Sequence, residues 1–184
     1  MATMVKRALE ARASRGEPIQ VGFVGAGRMG TGAICQIGLM RGMRTAVIAD
    51  IDMERVVRAF ELTGHDRADV VVTNSRSDAS AAISRGKPVA TEDSQMMLDL
   101  EIDAVVESTG NPEVGARVAL QAIQAGKHAI MLNVETDVVI GPILHRMAES
   151  AGVVYTVSSG DEPGLIAEYY DCLLYTSPSP RDRS

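Results

Sequence analysis

Seven consecutive residues, Val24-Gly25-Ala26-Gly27-Arg28-Met29-Gly30, carry the densest chemical signal in the chain. They follow the apolar run from Ile19 to Val24 and precede a helix-compatible stretch from Met29 to Arg41. Strand, glycine turn and helix, with the G-x-G-x-x-G spacing, form an arrangement that seats a dinucleotide diphosphate. Gly25 permits a tight turn, Gly27 lets the backbone approach the diphosphate, and Gly30 lets the helix lie against the strand. The amides that open the helix have no internal partners and are donors for an anion. The spacing places Arg28 and Met29 in that same contact.

The next β-forming run, Thr45 to Ala49, ends at Asp50, 25 residues after Gly25. That is near the separation expected for the carboxylate that accepts from the adenosine ribose hydroxyls. A carboxylate suits two hydroxyl donors and repels a 2′-phosphate. The expected cofactor is therefore NAD or NADP, with Asp50 favouring NAD, while Arg28 and Arg55 offset the repulsion. Asp52 reads as the N-cap of a helix from Met53.

The groups that could work on a substrate lie where the other apolar runs end, because ligands of open α/β sheets bind beyond the carboxyl ends of the strands. Thr73 is a candidate contact for adenosine or diphosphate, with an ordinary turn as its alternative. Glu107, Ser108, Thr109 and Gly110 follow the next run; Ser108, Thr109 and Gly110 are candidates for cofactor binding, and the Thr109-Gly110 backbone is expected near the nicotinamide ribose, with a plain strand end as its alternative. Asn133 is either a cofactor contact or a cap. Glu135 is a candidate proton relay or hydroxyl ligand. Asp161 and Glu162, adjacent carboxylates in a glycine-flanked loop, are candidates for substrate binding or acid–base work. Two carboxylates do not define a metal site, and no metal is expected. His65 and His145 read as solvated and His128 as structural. No histidine pairs with a nucleophile, so hydrolase chemistry is poorly supported. No lysine or tyrosine stands in this set, which places the expected proton-transfer residue beyond Asp171.

These groups need a frame, and the pattern provides one. Val- and Ile-rich runs at 19–24, 45–49, 70–73, 103–107, 128–132 and 153–157 alternate with helical segments. Little polar alternation within the runs suits parallel strands covered on both faces. The expected fold is α/β, a doubly wound parallel sheet of the Rossmann NAD(P)-binding kind. Asn111 caps an expected helix from Pro112 to Ala125, and Pro142 is expected to begin another, with Leu144, Ala148 and Ala151 on its inner side. Between 74 and 99 the reading is a helix at 77–85, an extended piece at 88–90 and a helix near 94–99. The expected organisation is a leading helix over 1–17, the dinucleotide domain over 18–157, and over 158–171 the start of a catalytic and dimerising domain. Residues 172–184 are rich in Ser, Pro and charge and are expected to be disordered. They resemble translated adapter sequence, which implies a truncated frame and an inactive fragment.

Composition narrows the classes further. The chain has 184 residues, 46% of them hydrophobic, and a formal net charge of -6. There is no basic stripe with interleaved aromatics, so a nucleic-acid partner is not expected. No run approaches the 18 apolar residues of a membrane span. Lys6, Arg7, Arg12 and Arg15 alternate with Ala, Leu and Glu and read as a solvated helix rather than a targeting peptide. Two cysteines, Cys35 and Cys172, give no disulfide framework, and Cys35 is expected to be a buried thiol. A cytoplasmic protein with a small-molecule substrate fits these features.

Four segments together resemble a known group: Val21 to Gly30, Asp103 to Gly110 (Asp-Ala-Val-Val-Glu-Ser-Thr-Gly), Gly126 to Asn133 (Gly-Lys-His-Ala-Ile-Met-Leu-Asn) and Ser158 to Gly164 (Ser-Ser-Gly-Asp-Glu-Pro-Gly). They are similar to the nucleotide-binding half of homoserine dehydrogenase-like oxidoreductases. They look closest to bacterial proteins carrying a SAF domain, a group that includes 1-deoxyxylulose 5-phosphate reductoisomerase-like enzymes. The resemblance covers 18 to about 171. It implies a cofactor domain followed by a catalytic and dimerising domain, hydride transfer on a small polar carbonyl or alcohol, and a homo-oligomer at full length. Homoserine dehydrogenases carry Asn-Lys where this chain has Asn133-Val134, a departure that counts against homoserine as the substrate; a homoserine dehydrogenase-type enzyme is the alternative within catalysis. A dinucleotide-sensing regulatory module and an inert interaction fold are the alternatives outside catalysis.

Overall fold

A computed structural model describes residues 2–158 and 168–173. A leading helix α1 (Ala2–Arg15) is followed by β1 (Ile19–Val24), α2 (Arg28–Gly38), β2 (Met43–Ala49) and α3 (Met53–Leu62). A single 3-10 turn then leads to β3 (Val71–Val72), α4 (Arg76–Ser84), β4 (Val89–Thr91) and α5 (Ser94–Leu98). The second half runs β5 (Ala104–Glu107), α6 (Pro112–Gln124), β6 (His128–Met131), α7 (Val134–Ala151) and β7 (Tyr155–Val157).

The strands form one sheet in the order β3-β4-β2-β1-β5-β6-β7. Every pairing is parallel. The order reverses beside β1, where chain direction sends β2 to one side and β5 to the other. A crevice at such a switch point is where open α/β sheets bind ligands. Successive strand residues divide between two cores. Val47, Val89 and Val105 pack with α4 to α7 through residues such as Ala82, Met97, Val118 and Leu144. Ile48, Ala90 and Val106 pack on the other face with Ile34 of α2 and Phe60 of α3. Burial on both faces is why these strands read as continuous apolar runs.

Five expectations need correction. The extended piece at 88–90 is a full member of the sheet, β4, and lies between β2 and the edge strand β3. Pro142 does not begin a helix but sits inside α7. The true start is set by Asn133, whose side chain accepts from Thr136 N, with Glu135 and Asp137 in the first turn. The proline is accommodated because Gly141 before it has no Cβ to crowd the ring. Ala151, expected to face the sheet, is exposed, and Cys35 is half-buried rather than buried. Cys172 and Leu173, read as unstructured, fall in a helical stretch at 168–173; residues 174–184 lie outside the described residues.

Candidate cofactor site

The glycine turn is held by the protein's own packing at two of its three glycines. Gly25 has φ +99°, a conformation that glycine adopts without strain. A Cβ on Gly25 would lie 3.0 Å from the Ser108 carbonyl. A Cβ on Gly30 would lie 2.4 Å from the Gly25 carbonyl oxygen and 2.6 Å from Ser108 Oγ. Ser108 Oγ donates to the carbonyls of Val24 (3.1 Å) and Gly25 (2.9 Å), binding the turn to the end of β5. Asp50 holds the other side: Oδ2 accepts from Ala26 N at 2.6 Å and Oδ1 from Asp52 N at 2.9 Å.

Gly27 differs from both. Its φ and ψ are −71° and −171°, which any residue adopts, and a Cβ there would meet nothing within 4 Å. It is the N-cap of α2, yet no side chain caps the helix. The first amides of α2 therefore face open space beside a position kept bare, and Arg28 and Met29 are exposed there. A diphosphate fits this cradle: the amides and the helix dipole supply the attraction, and the missing Cβ supplies the room.

A second polar group lies under the ends of β5 and β6. Glu107 is 1% exposed. Its Oε1 accepts from Thr109 N at 2.9 Å and from the Thr109 hydroxyl, while Oε2 is buried without a partner. Asn133, also buried, accepts from Thr136 N and donates to the Asn111 carbonyl at 3.0 Å. Gly115 of α6 closes this group: a Cβ there would lie 2.3 Å from Thr136 Oγ1, 2.7 Å from Asn133 Nδ2 and 2.9 Å from Glu107 Oε2. Together these contacts fix the Thr109-Gly110 loop at the carboxyl edge of the sheet.

Tyr155 of β7 reports on the same region. Its ring is 6% exposed and its hydroxyl donates to Asp137 Oδ1 at 2.9 Å. Burial raises its pKa first, and the hydrogen bond to Asp137 and the charges of Asp137 and Glu107 raise it further. Above about pH 10 the unfolded phenol ionises while the folded one keeps its proton, so this group's stabilisation fades as pH rises. Unfolding by urea at pH 9 and pH 11 is expected to show that loss, and Tyr155→Phe is expected to reduce the slope. An unchanged slope in the variant would remove Tyr155 as its source.

The residues expected to work together divide as follows. Gly25, Gly27, Arg28, Met29, Gly30 and Asp50 converge at the switch point. Ser108 joins them through its hydroxyl, which serves the turn. Thr109 and Gly110 are exposed beside it on the loop that Glu107 holds. Thr73 stands further along the sheet, its hydroxyl accepting from Ser75 N at 3.0 Å. Asn133 is committed to capping α7, and Glu135 is exposed in the first turn of that helix. Asp161 and Glu162 lie outside the described residues. The sequence pointed to Glu107 only as a strand-end residue; a carboxylate closing an Ala-Val-Val run was the available signal of its burial. His128 is structural as expected, its Nδ1 accepting from Val154 N at 3.0 Å.

Fold and turn together define a Rossmann NAD(P)-binding domain. Residues 25–158 match the family described as homoserine dehydrogenase, NAD binding domain, and the chain belongs to that family. No curated protein matches it significantly. Among solved structures it is similar to yvaA of Bacillus subtilis, with 19% identity and TM-score 0.59, over 84% of this chain and 38% of that one. KijD10, a 3-ketoreductase from Actinomadura kijaniata solved with NADP, gives 18% identity and TM-score 0.58, over 84% and 42%. The biliverdin reductase from Synechocystis, solved with biliverdin and NADP+, gives 18% and 0.55, over 86% and 42%. At such identities the likeness is one of fold. The chain spans about two fifths of the length of these structures. Among the described residues no helix is long and apolar enough to cross a membrane.

Proposed function

We propose that this chain is the cofactor-binding part of an NAD(P)-dependent oxidoreductase acting on a small polar carbonyl or alcohol. The observation that carries this reading is Gly27: the only glycine of the turn that the protein's own packing does not require. When bound, the nicotinamide cofactor supplies or accepts the hydride. The chain's part is to hold it. The amides opening α2 take the diphosphate, Asp50 faces the adenosine ribose while bracing Ala26, and the Thr109-Gly110 loop abuts the nicotinamide ribose. Glu135 is the carboxylate offered toward substrate, with Asp161 and Glu162 as further acid–base candidates. The motif resemblance favours a sugar-phosphate substrate of the reductoisomerase kind over homoserine, since Val134 stands where a lysine would follow Asn133. The whole protein is read as a cytoplasmic homo-oligomer, on that resemblance and on composition.

Titration of this chain with NADH and with NADPH, followed by calorimetry or cofactor fluorescence, tests the reading. Saturable binding of at least one is expected. A folded sample that binds neither at millimolar concentration would overturn it.

A further inference from the structure

The middle of α7 carries apolar side chains that the fold leaves uncovered. Thr136, Gly141, Leu144 and Ala148 form its buried face. On the opposite face Val138 is 82% exposed, Val139 71% and Ile143 54%, and Pro142 is exposed among them. Glu135 precedes this patch and Arg146 follows it, both exposed. Spaced at three and four residues, the six side chains make one stripe along the helix. Contiguous exposed apolar side chains of this kind mark a contact surface. The stripe stands as a ridge between two hollows. A groove of about 580 Å³ lies on the side of α6, lined in part by Ile123, Ile143 and Met147. A cleft of about 370 Å³ lies on the side of β7, lined in part by Pro142, Tyr155 and Val157.

The order of residues along the stripe decides what covers it. Its centre falls between Ile140 and Gly141. Val139 and Pro142 stand at equal distances from that centre, then Val138 and Ile143, then Glu135 and Arg146. A second α7 laid antiparallel about a two-fold axis at the centre sets apolar levels against apolar levels and each Glu135 level with the other copy's Arg146. A parallel arrangement would set Glu135 on Glu135 and Arg146 on Arg146. Among the described residues neither Glu135 nor Arg146 forms an ion pair. Arg146 Nε donates to the Pro142 carbonyl at 3.4 Å, which leaves its terminal nitrogens for a carboxylate. With one charge of each sign, the stripe has no net attraction for an anionic lipid surface.

We propose that the chain forms a two-fold dimer through antiparallel packing of α7 on α7, with Val138, Val139, Pro142 and Ile143 at its centre and two Glu135–Arg146 pairs at its ends. The ends are the rim of the contact, where a carboxylate still borders solvent, so the pair is compatible with the substrate-facing role proposed for Glu135. The inference does not depend on the cofactor reading, because its test reads mass rather than ligand.

The test is analytical ultracentrifugation of the 184-residue chain. At roughly 100 μM the chain is expected to sediment as a dimer. Val139→Glu sets two carboxylates beside the axis and is expected to give a monomer, with circular dichroism confirming its fold. Leu39→Glu changes a side chain that is 80% exposed on α2, away from the stripe, and is expected to leave the dimer intact. Glu135→Arg is expected to raise the dimer dissociation constant several-fold, and adding Arg146→Glu is expected to restore it. That restoration cannot come from a chain that has failed to fold. A monomeric parent, or an open-ended series of larger species, overturns the dimer. A dimer that survives Val139→Glu, or that is lost equally with Leu39→Glu, overturns its assignment to α7. A double exchange that fails to restore association overturns the antiparallel pairing.

Discussion

Gly30→Ala is expected to lower the stability of the chain by about 3 kcal/mol and to abolish dinucleotide binding, the stability loss being that of a side chain forced into a full site. The new methyl carbon would lie 2.4 Å from the Gly25 carbonyl oxygen and 2.6 Å from Ser108 Oγ. The hydroxyl can rotate, at the cost of its bonds to Val24 and Gly25. The carbonyl cannot retreat without moving Gly25, whose φ of +99° leaves an adjoining turn with little freedom. Either α2 lifts from β1 or the turn opens, and both displace the amides that would meet a diphosphate. Thermal unfolding checks this; 3 kcal/mol corresponds to a fall of roughly 6–12 °C in Tm for a domain of this size. A variant that melts with the parent would show that α2 does not press on the turn as described.

The parts of this fold legible in the sequence are those set by local chemistry. The glycine spacing, the N-caps Asp52 and Asn111, and the apolar runs of β1, β2 and β5 each state their role within a few residues. What was not legible depends on contacts far apart in the chain. Val89-Ala90 is too short to announce a strand, and becomes one only because β2 and β3 flank it. Pro142 reads as a helix start, since proline is favoured at the first turn; Asn133 and Gly141 together allow the helix to run through it. Glu107 is a polar letter after three apolar ones, and its burial is created by α6, α7 and the absence of a side chain at Gly115. Arg58 reads as one more charge on an amphipathic helix. Only the approach of α2 to α3 brings it to a cleft that Arg28 also lines.

Cofactor binding at this turn rests on Gly27, and Gly27→Asp isolates it. At an extended N-cap with no steric neighbour, aspartate is a favourable residue, accepting from the first amides and complementing the helix dipole. The folded chain is therefore expected to keep its stability or gain up to about 1 kcal/mol. The same carboxylate would occupy the donors meant for the diphosphate and repel its charge, weakening cofactor binding on the order of a hundredfold, or about 2.7 kcal/mol. Stability and affinity should move in opposite directions, which no general loss of structure can produce. The most direct measurement is a paired one: Tm by calorimetry and the dissociation constants for NADH and NADPH, on the parent chain and on Gly27→Asp. An undiminished Tm with binding lost is the predicted result; cofactor bound by the variant as tightly as by the parent would contradict it.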